Sequence, residues 1–447
     1  MPAVDGDAES GCASGAGDRP WDLQLRVTRA DNGYDTPLEE LVYTGERSIL
    51  WSVDERMRLV KRRLSGSIST GRCEASSIRL SSGRALEVSS SLSVRKLTGW
   101  SPIAELAVGD RIAAVRRLPQ PEQTTRMHDS EVILLAHMIG DGSCVKRQPI
   151  RYASIDEANL MAVTIAAAHF GVTAIRDDYA AARATTLRLP SPYRLARGKR
   201  NPIAEWLDTL GLFGLRSYEK FVPAAVFALP DEQVALFLRH LWATDGSVRW
   251  DSKTAQGRVY YASTSRRLID DVLQLLLRIG VQGRITRTSK GGYRDCWHLT
   301  IDRAANQVAF LNKVGVHGER GVKAKEVVAQ LLGRVRRPGT DTIPVEVWGH
   351  VKSLLKERNW SDQQFAVATN TRFDGPMMWT HAPGRSRLHR ISNVLDDSVL
   401  HDLATNDVYW DKVAEITSLG SHDIADLSGT QDYPVVVRGV LVQPLGD

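Results

Sequence analysis

Apolar and polar residues alternate in short runs over residues 21–118, and Gly, Asp, Asn or Ser separates one run from the next. The runs LQLRVTRA, MRLVKR and RALEVSS are examples. Such alternation is typical of half-buried strands, because successive side chains of a strand point to opposite faces. The pattern predicts an all-β unit of many short strands. A Gly- and Ala-rich arm over 1–20 precedes this unit, and a proline-containing linker over 116–126 follows it.

The period changes at residue 129, where apolar residues begin to recur at helical spacing. The segment DSEVILLAHMIGDG ends at a glycine, and Asp129 and Ser130 are candidate caps for its start. An order of helix, strands, helix and strands then occurs twice, at about 100 residues per copy, which indicates an internal duplication. After the first helix, further helices are predicted at 156–171, 202–210, 231–244 and 265–279, and strands at 172–189, 247–263, 281–288 and 294–301.

The first helix of each copy ends in the same way. LLAHMIGDG (134–142) aligns with LRHLWATDG (238–246), which places Asp141 on Asp245 and Gly142 on Gly246. A carboxylate at the C-terminus of a helix is unfavourable, because that end of the helix dipole is already negative. One interpretation is that each Asp caps a following turn. The repetition at equivalent positions favours the other, in which a positive partner such as a metal ion lies between the two acids.

Composition narrows the class of protein. At roughly 150 residues per domain, the 447 residues suggest about three domains. The composition, 43% hydrophobic and 25% charged, excludes a largely disordered chain. No apolar run is long enough for a transmembrane helix, and the first 20 residues do not form a secretory signal. The cysteines are too scattered for a zinc pair or a disulfide framework, so a reducing cytosol, with the protein near the bacterial nucleoid, is expected. They are Cys12, Cys73, Cys144 and Cys296.

Basic residues are clustered although the net charge is only +6. Basic clusters on a balanced chain indicate a polyanion partner, and nucleic acid is the first candidate. Solvated surface arginines are the alternative interpretation. One cluster without acids contains Arg183, Arg188, Arg194, Arg197, Lys199 and Arg200, and a second contains Arg334, Arg336 and Arg337.

The two aligned segments resemble the paired LAGLIDADG motifs of homing endonucleases, with Asp141 and Asp245 at the acidic position. The β-rich flanks are similar to the Hint splicing fold of inteins. Through LLAHMIGDGSC, QVALFLRHLWATDGSVRW and YWDKVAEITSLG, residues 21–447 resemble the intein of bacterial replicative DNA helicase.

The resemblance implies an α+β fold. A duplicated αββαββα endonuclease with saddle-shaped antiparallel sheets would be flanked by an all-β Hint-like domain formed from both chain ends. The expected domains are a flexible arm (1–20), the N-terminal part of the Hint-like domain (21–120), the endonuclease (126–330, with copies at about 129–228 and 229–330), a basic DNA-contacting extension (331–394) and the C-terminal part of the Hint-like domain (395–447).

The resemblance also implies a metal-dependent endonuclease that cuts both strands of double-stranded DNA at a specific sequence. In that family the motif helices pack side by side, so Asp141 and Asp245 would bind Mg²⁺, with the carbonyl oxygens of Gly140 and Thr244 as further ligands. Hard oxygen ligands suit Mg²⁺. A lysine at the base of each active site corresponds to Lys220 in YEKFVPAAV. In the second copy, Lys323 is preferred over Lys325.

DNA recognition is expected from the strands at 183–194 and 284–294, because a two-stranded ribbon fits the major groove. In the second ribbon the candidates are Arg284, Arg287, Lys290 and Arg294. The stretch 334–390 is expected to contact mainly phosphates. Two motif copies in one chain imply that a monomer suffices. The expected target is a helicase gene that lacks the intein.

The splicing positions are degenerate. Ser89 and Leu92 occupy the Thr and His of the internal splicing block, and Gln443 and Pro444 occupy the terminal His-Asn. Leucine donates no proton and proline has no side-chain amide to cyclise, so splicing is expected to be lost. Cys12 is a candidate relic nucleophile. A splicing-competent intein and a DNA-binding relic that no longer cuts are the alternatives. No G-x-x-x-x-G-K-[ST] loop is present, so nucleotide-driven unwinding is not supported.

Overall fold

The computed structural model describes residues 25–44, 48–64, 69–178, 183–332, 341–427 and 433–445. The N-terminal β unit matches the alternating pattern of its sequence. Its elements are β1 (Arg26–Thr28), β2 (Asp35–Pro37), α1 (Leu38–Thr44), β3 (Ile49–Val53), β4 (Leu59–Arg63), β5 (Ser69–Leu80), β6 (Ala85–Ser89), β7 (Leu92–Lys96), β8 (Gly99–Pro102) and β9 (Arg111–Val115). The linker that follows, up to residue 128, carries no helix or strand.

The first endonuclease-like copy follows the linker, and its first helix begins at a side-chain cap. His128 accepts the N–H of Ser130 through Nδ1, and Glu131 accepts the N–H of His128. The elements of the copy are α2 (Asp129–Gly140), β10 (Gly142–Ser143), β11 (Arg151–Ser154), α3 (Glu157–Ala168), β12 (Ile175–Asp177), β13 (Thr185–Arg188), α4 (Pro202–Thr209) and the short α5 (Ala224–Phe227).

The second copy repeats this order, so the predicted αββαββα duplication is confirmed. Its elements are α6 (Asp231–Asp245), β14 (Gly246–Asp251), β15 (Gln256–Ser263), α7 (Arg266–Arg278), β16 (Arg284–Thr288), β17 (Cys296–Thr300) and α8 (Ala304–Lys313). The sheets have matching antiparallel topologies, β10-β11-β13-β12 and β14-β15-β17-β16. Both copies contribute to one hydrophobic core, in which α2 packs against α6.

A helical unit comes next in the chain. Its Trp348, Phe365 and Trp379 pack their rings together in a second core. The unit extends to Thr405, past residue 394, where the Hint-like part was expected to resume. Between the second copy and this unit lies α9 (Glu319–Leu332), which belongs to the second copy because it packs on that copy's sheet and core. The elements of the helical unit are α10 (Val347–Glu357), α11 (Asp362–Ala368), a 3₁₀ turn (Gly375–Trp379), α12 (Arg385–Leu395) and α13 (Ser398–Thr405).

The last strands return to the N-terminal β unit. They are β18 (Val408–Asp426), β19 (Val435–Val437) and β20 (Val440–Pro444). β19 pairs with β1, β20 with β9 and β7, and β18 with β9 and β5. Both chain ends therefore build one sheet, as the Hint-like prediction requires. None of the helices in the described residues is long and apolar enough to cross a membrane.

Candidate functional site

The two motif helices, α2 and α6, are in close contact where each of them ends. A Cβ on Gly140 would overlap the side chain of Thr244, so only glycine permits this separation. Thr244 is held in place because its hydroxyl donates to the carbonyl of Leu241 at 2.6 Å. Glycine is therefore needed at 140 because the side chain of Thr244, at the equivalent position of the second helix, occupies the space beside it.

The glycine after each acid is required by the turn from helix to strand. A Cβ on Gly142 would lie 2.5 Å from the Cα of Met138. In the second copy, a Cβ on Gly246 would overlap the carbonyl oxygen of Trp242, four residues earlier. Both copies therefore lack room for a Cβ at the residue after the acid. The shared turn places the carboxylates of Asp141 and Asp245 at equivalent points beside the helix interface.

The carboxylates of Asp141 and Asp245 are close enough to repel each other. Burial raises the pKa of Asp141 to about 6, and the negative charge of Asp245 contributes to the rise. Part of the Asp245 side chain is exposed to solvent. Partial burial of its carboxyl by the surrounding protein atoms nevertheless raises its pKa as well. Two cations, Lys220 and Arg320, oppose the rise at both acids. A site that crowds two acids in this way favours a cation between them.

Lys220 lies at the base of the first copy, as the sequence predicts. Its side chain is 5% exposed. The ammonium donates to the carbonyl oxygens of Met138 at 2.8 Å, Gly142 at 2.7 Å and Gly140 at 3.3 Å. Burial lowers the pKa of Lys220, and the charge of Asp245 is among the influences that oppose this. The lysine therefore fixes the backbone on both sides of Asp141.

The second copy presents an arginine instead of the predicted lysine. Arg320, near the start of α9, donates from Nη1 to the carbonyl oxygen of Ala243, and its charge lowers the pKa of both acids. Lys323 lies almost one helical turn further on, and its side chain is exposed, as is that of Lys325. The structure does not bring Lys323 into the site. No sequence motif marks Arg320, and only its position in the fold identifies it.

Asp141 and Asp245 fit a divalent cation as carboxylate ligands. Among the described residues, no group of three or more His, Cys, Asp or Glu side chains could hold a metal ion. A metal here would therefore need oxygen atoms from outside this set, such as water or phosphate. The carbonyl of Gly140 already accepts from Lys220, and the Ala243 carbonyl beside Thr244 accepts from Arg320 and Asn159.

Two histidines join the motif helices in the core. His137 Nε2 and His240 Nδ1 are 3.0 Å apart, and His137 Nδ1 lies 2.9 Å from the hydroxyl of Tyr152. Burial lowers the pKa of His137 to about 3 and that of His240 to about 2. His240 is therefore a neutral, hydrogen-bonded core residue. The sequence did not predict its pairing with His137.

Each sheet has one face on the core and one polar, open face. In the first copy, Arg151 and Arg188 face each other across β11 and β13. In the second copy the open face carries Arg249 opposite Arg258 and Tyr260 opposite Thr300, because the residues between them are buried. The DNA-contacting residues predicted from the sequence did not include Arg151, Arg249, Arg258 or Tyr260. The strict alternation of β14 and β15 is the signal that would have identified the last three.

The predicted basic residues differ in accessibility. Arg183, Arg194, Arg197 and Lys199 are exposed. Ion pairs hold Arg188 to Asp177, Arg200 to Asp208, Arg284 to Asp302 and Arg287 to Asp295. The ammonium group of Lys290 lies over the ring of Tyr293, and the guanidinium group of Arg294 lies over the ring of Tyr218.

Arg287 lies on the opposite face of β16 from Arg284. It shares the side of the buried Ile285 and approaches the ring of Trp297, so it is not on the open face. Arg334, Arg336 and Arg337 lie outside the described residues.

The splicing positions come together in the β unit. Leu92 of β7 is directly opposite Pro444 of β20, and Ser93 is opposite Gln443. Leu92 is fully buried in the apolar core of the unit, while the hydroxyl of Ser89 lies 2.7 Å from that of Ser91. The structure therefore brings two of the expected splicing positions, Leu92 and Pro444, together on neighbouring strands. Cys12 lies outside the described residues.

Comparison with known proteins agrees with this architecture. Residues 232–315 match the family model of the LAGLIDADG-like domain. The chain is 33% identical to the replicative DNA helicase DnaB of Rhodothermus marinus, over 97% of this chain and 46% of the helicase. It spans about half the length of the curated relatives that it matches.

Solved structures give more distant matches. A DnaB intein from Synechocystis sp. PCC 6803 is 19% identical over 21% of this chain and 68% of that chain, with a TM-score of 0.20. The homing endonuclease I-DmoI in complex with DNA and Mn is 17% identical over 42% of this chain and 96% of that chain, with a TM-score of 0.27. Residues 232–315 are thus similar to a LAGLIDADG-like domain, and the resemblance of the chain to the intein of bacterial replicative helicases is confirmed.

Proposed function

We propose that this chain is an intein-derived, Mg²⁺-dependent endonuclease that cuts both strands of a specific DNA sequence. The observation that carries the proposal is the pair of carboxylates, Asp141 and Asp245, at the equivalent ends of two packed helices, with Lys220 and Arg320 beside them. Two acids at one interface, without a cation, would repel DNA phosphates. Their presence in both copies is therefore better explained by cleavage than by binding alone.

The roles of the site residues follow from this arrangement. Asp141 and Asp245 would hold Mg²⁺, which supplies Lewis-acid polarisation of the scissile phosphate and a more acidic bound water. Lys220 keeps the backbone around Asp141 rigid and adds positive charge below the phosphate. Arg320 does the same beside Asp245. The acids and the backbone around them are held before DNA arrives, which is the arrangement that electrostatic stabilisation of a transition state needs.

DNA recognition is assigned to the open faces of the two sheets. Arg151, Arg249, Arg258 and Tyr260 combine positive charge with planar groups that can contact base edges in a groove. The exposed Arg183, Arg194, Arg197 and Lys199 extend this surface. The cluster at 334–337 is assigned to phosphate contacts. Its replacement by alanine should weaken binding to all sequences alike and reduce the salt slope by roughly 0.9 per contact.

The target that fits this origin best is a replicative helicase gene without an intein, because the chain is similar to such helicases. Two motif copies within one chain supply two acids, so a monomer is sufficient for two strand cuts.

Single-acid variants test the enzyme assignment. Asp141→Asn and Asp245→Asn should each lose double-strand cleavage of a plasmid that carries the target, or leave only nicked circles. Glu415→Gln is the control, because this exposed acid pairs with Arg79 in the β unit, away from both sheets of the two copies. Full cleavage by either acid variant would contradict the assignment. Mg²⁺-independent binding without any product would instead favour a DNA-binding relic.

Splicing is proposed to be lost. The pairing of Leu92 with Pro444 leaves no side-chain imidazole and no cyclising amide at these two positions. The full chain, inserted between two affinity tags, should keep its mass over time. Ligated tags would show that the chain still splices and would refute this part of the proposal.

A further inference from the structure

The second helix of each copy begins at a cap of the same construction. Asp156 precedes α3 and Ser265 precedes α7, in the related strings ASIDE and ASTSR. In both copies a serine two residues earlier accepts the backbone N–H of the cap residue at 3.1 Å, Ser154 in the first copy and Ser263 in the second. The shared construction shows that Asp156 and Ser265 are equivalent positions of the duplication.

Each cap residue also makes a hydrogen bond to the other copy. The hydroxyl of Ser265 donates to the backbone carbonyl of Lys220 at 2.6 Å. The carboxylate of Asp156 accepts the backbone N–H of Glu319, which directly precedes Arg320, at 2.8 Å. Ser265 is 2% and Asp156 7% exposed. The cap of one copy is thus bonded to the segment that carries the active-site cation of the other copy.

Neighbouring contacts support both connections. A Cβ on Gly318, which has a φ of +70°, would overlap the carboxylate of Asp156, so glycine allows the approach. His317 Nε2 lies 3.1 Å from the carbonyl oxygen of Ala158 in α3. On the other side, Asp271 of α7 accepts the N–H of Val222 at 2.9 Å. Each cation segment is therefore fixed at two points by the second helix of the opposite copy.

We propose that Asp156 and Ser265 are positioning residues that hold the active-site cations across the two copies, Ser265 for Lys220 and Asp156 for Arg320. This inference rests on the proposed function. It makes each cation depend on the structural integrity of the opposite copy. A displacement of about 1 Å in a catalytic group can slow a reaction by roughly a hundredfold. Loss of one connection should therefore impair the cut that depends on its cation more than the other cut.

The test uses variants that keep the helix cap. Ser265→Gly removes the hydroxyl, and glycine at an N-cap costs only a few tenths of a kcal/mol. Asp156→Asn retains an oxygen for the cap and turns its NH₂ group toward the N–H of Glu319. Ser265→Thr restores a hydroxyl and serves as the rescue. Asn201→Ala is the matched control, because Asn201 caps α4 and its side-chain bonds remain within the first copy.

The full chain is incubated with a supercoiled plasmid that carries the target, and each strand of the product is labelled at its end. Ser265→Gly should slow one strand cut by about tenfold or more, on the same strand as Lys220→Met. Asp156→Asn should slow the opposite strand, as Arg320→Met does. Target affinity should be unchanged, Ser265→Thr should restore the strand cut that Ser265→Gly slows, and Asn201→Ala should show no strand preference.

Equal slowing of both strands, or the same strand affected by both variants, would overturn the inference and leave the residues as helix caps only. Hydrogen exchange of the full chain gives a second readout that needs no cleavage. Ser265→Gly should raise exchange around Lys220 and Asp156→Asn should raise it around Arg320, each without change at the other segment. Unchanged exchange at both segments would also overturn the inference. If the wild-type chain cuts no DNA, the proposed function fails instead.

Discussion

Acidification from pH 7 to pH 5 is expected to weaken the packing of α2 against α6, because His137 and His240 must remain uncharged between them. Their ring nitrogens share one hydrogen bond of 3.0 Å. Tyr152 faces His137, and the ring of His317 lies 4.3 Å from that of His240. Burial, together with the neighbouring histidine, lowers the pKa of His137 to about 3 and that of His240 to about 2.

The size of the effect depends mainly on the unfolded chain, in which a histidine has a pKa of about 6.5. Because the folded pKa is lower, the unfolded state binds more protons as the pH falls. The contribution to stability is complete above pH 6.5 and decreases toward pH 3. Each histidine should lower the free energy of unfolding by about 1.4 kcal/mol for each pH unit by which the pH falls within that window. At pH 5 the loss is about 2 kcal/mol for each and about 4 kcal/mol for both.

Buried carboxyls act in the opposite direction, because burial also raises the pKa values of Asp35 and Asp245. The pKa of Asp141 is raised to about 6 and that of Asp271 to about 7, mainly by burial. They stabilise the folded state as the pH falls through these values, so the pH profile of the wild type alone is not diagnostic. The difference from the double variant His137→Gln/His240→Gln isolates the histidines, since glutamine hydrogen-bonds but does not titrate.

The assay is urea unfolding at pH 7, 6 and 5, followed by hydrogen exchange in peptides from α2 and α6. Wild type should lose about 4 kcal/mol more than the double variant between pH 7 and pH 5. Parallel pH profiles of stability for the two proteins would contradict this prediction, because they would show that the histidines bind protons equally in the folded and unfolded states.

Three further predictions concern packing, a buried cation and DNA contact. Gly140→Ala should destabilise by roughly 1–3 kcal/mol in thermal unfolding, and Thr244→Ala in the same chain should recover most of the loss, since it removes the overlapping side chain. Arg385→Ala should cost about 3 kcal/mol in urea unfolding, because Arg385 is buried and donates to Asp341 at 2.8 Å; Arg385→Lys should not restore it. Arg249→Ala should reduce discrimination at one base position by roughly 1–3 kcal/mol in a cleavage-selection profile, and an unchanged profile would exclude Arg249 from base recognition.

Periodicity and the repeated motif were sufficient to predict the duplicated fold and both acids. They were insufficient for the second cation, because insertions and deletions separate the copies unevenly. The acids Asp141 and Asp245 are 104 residues apart, whereas Lys220 and Arg320 are 100 apart. An offset of 104 residues from Lys220 therefore leads to residue 324, between Lys323 and Lys325, and passes Arg320. Only the packing of α9 against the second sheet brings the arginine beside Asp245.

The DNA-facing residues were harder to predict from the sequence. Clusters of arginine indicate positive charge, but they do not show on which face of the sheet each side chain lies. Arg284 and Arg287 are three residues apart in one strand, so alternation alone places them on opposite faces. Arg249 belongs to no cluster, yet it lies on the open face because Val248 beside it is buried. Ion pairs such as Arg188 with Asp177 form between neighbouring strands and depend on a register that the sequence pattern does not supply.

The most direct test of the central claim is cleavage selection from a randomised DNA library in Mg²⁺, with the full chain and the Asp141→Asn/Asp245→Asn variant in parallel. We expect the wild-type chain to yield products with one defined sequence and paired strand cuts that leave short 3′ overhangs. The variant should bind the same sequence and yield no product. Cleavage by the variant at the wild-type rate would contradict the claim that these two acids form the active site. The absence of any product from the wild type would contradict the claim that the chain is an endonuclease.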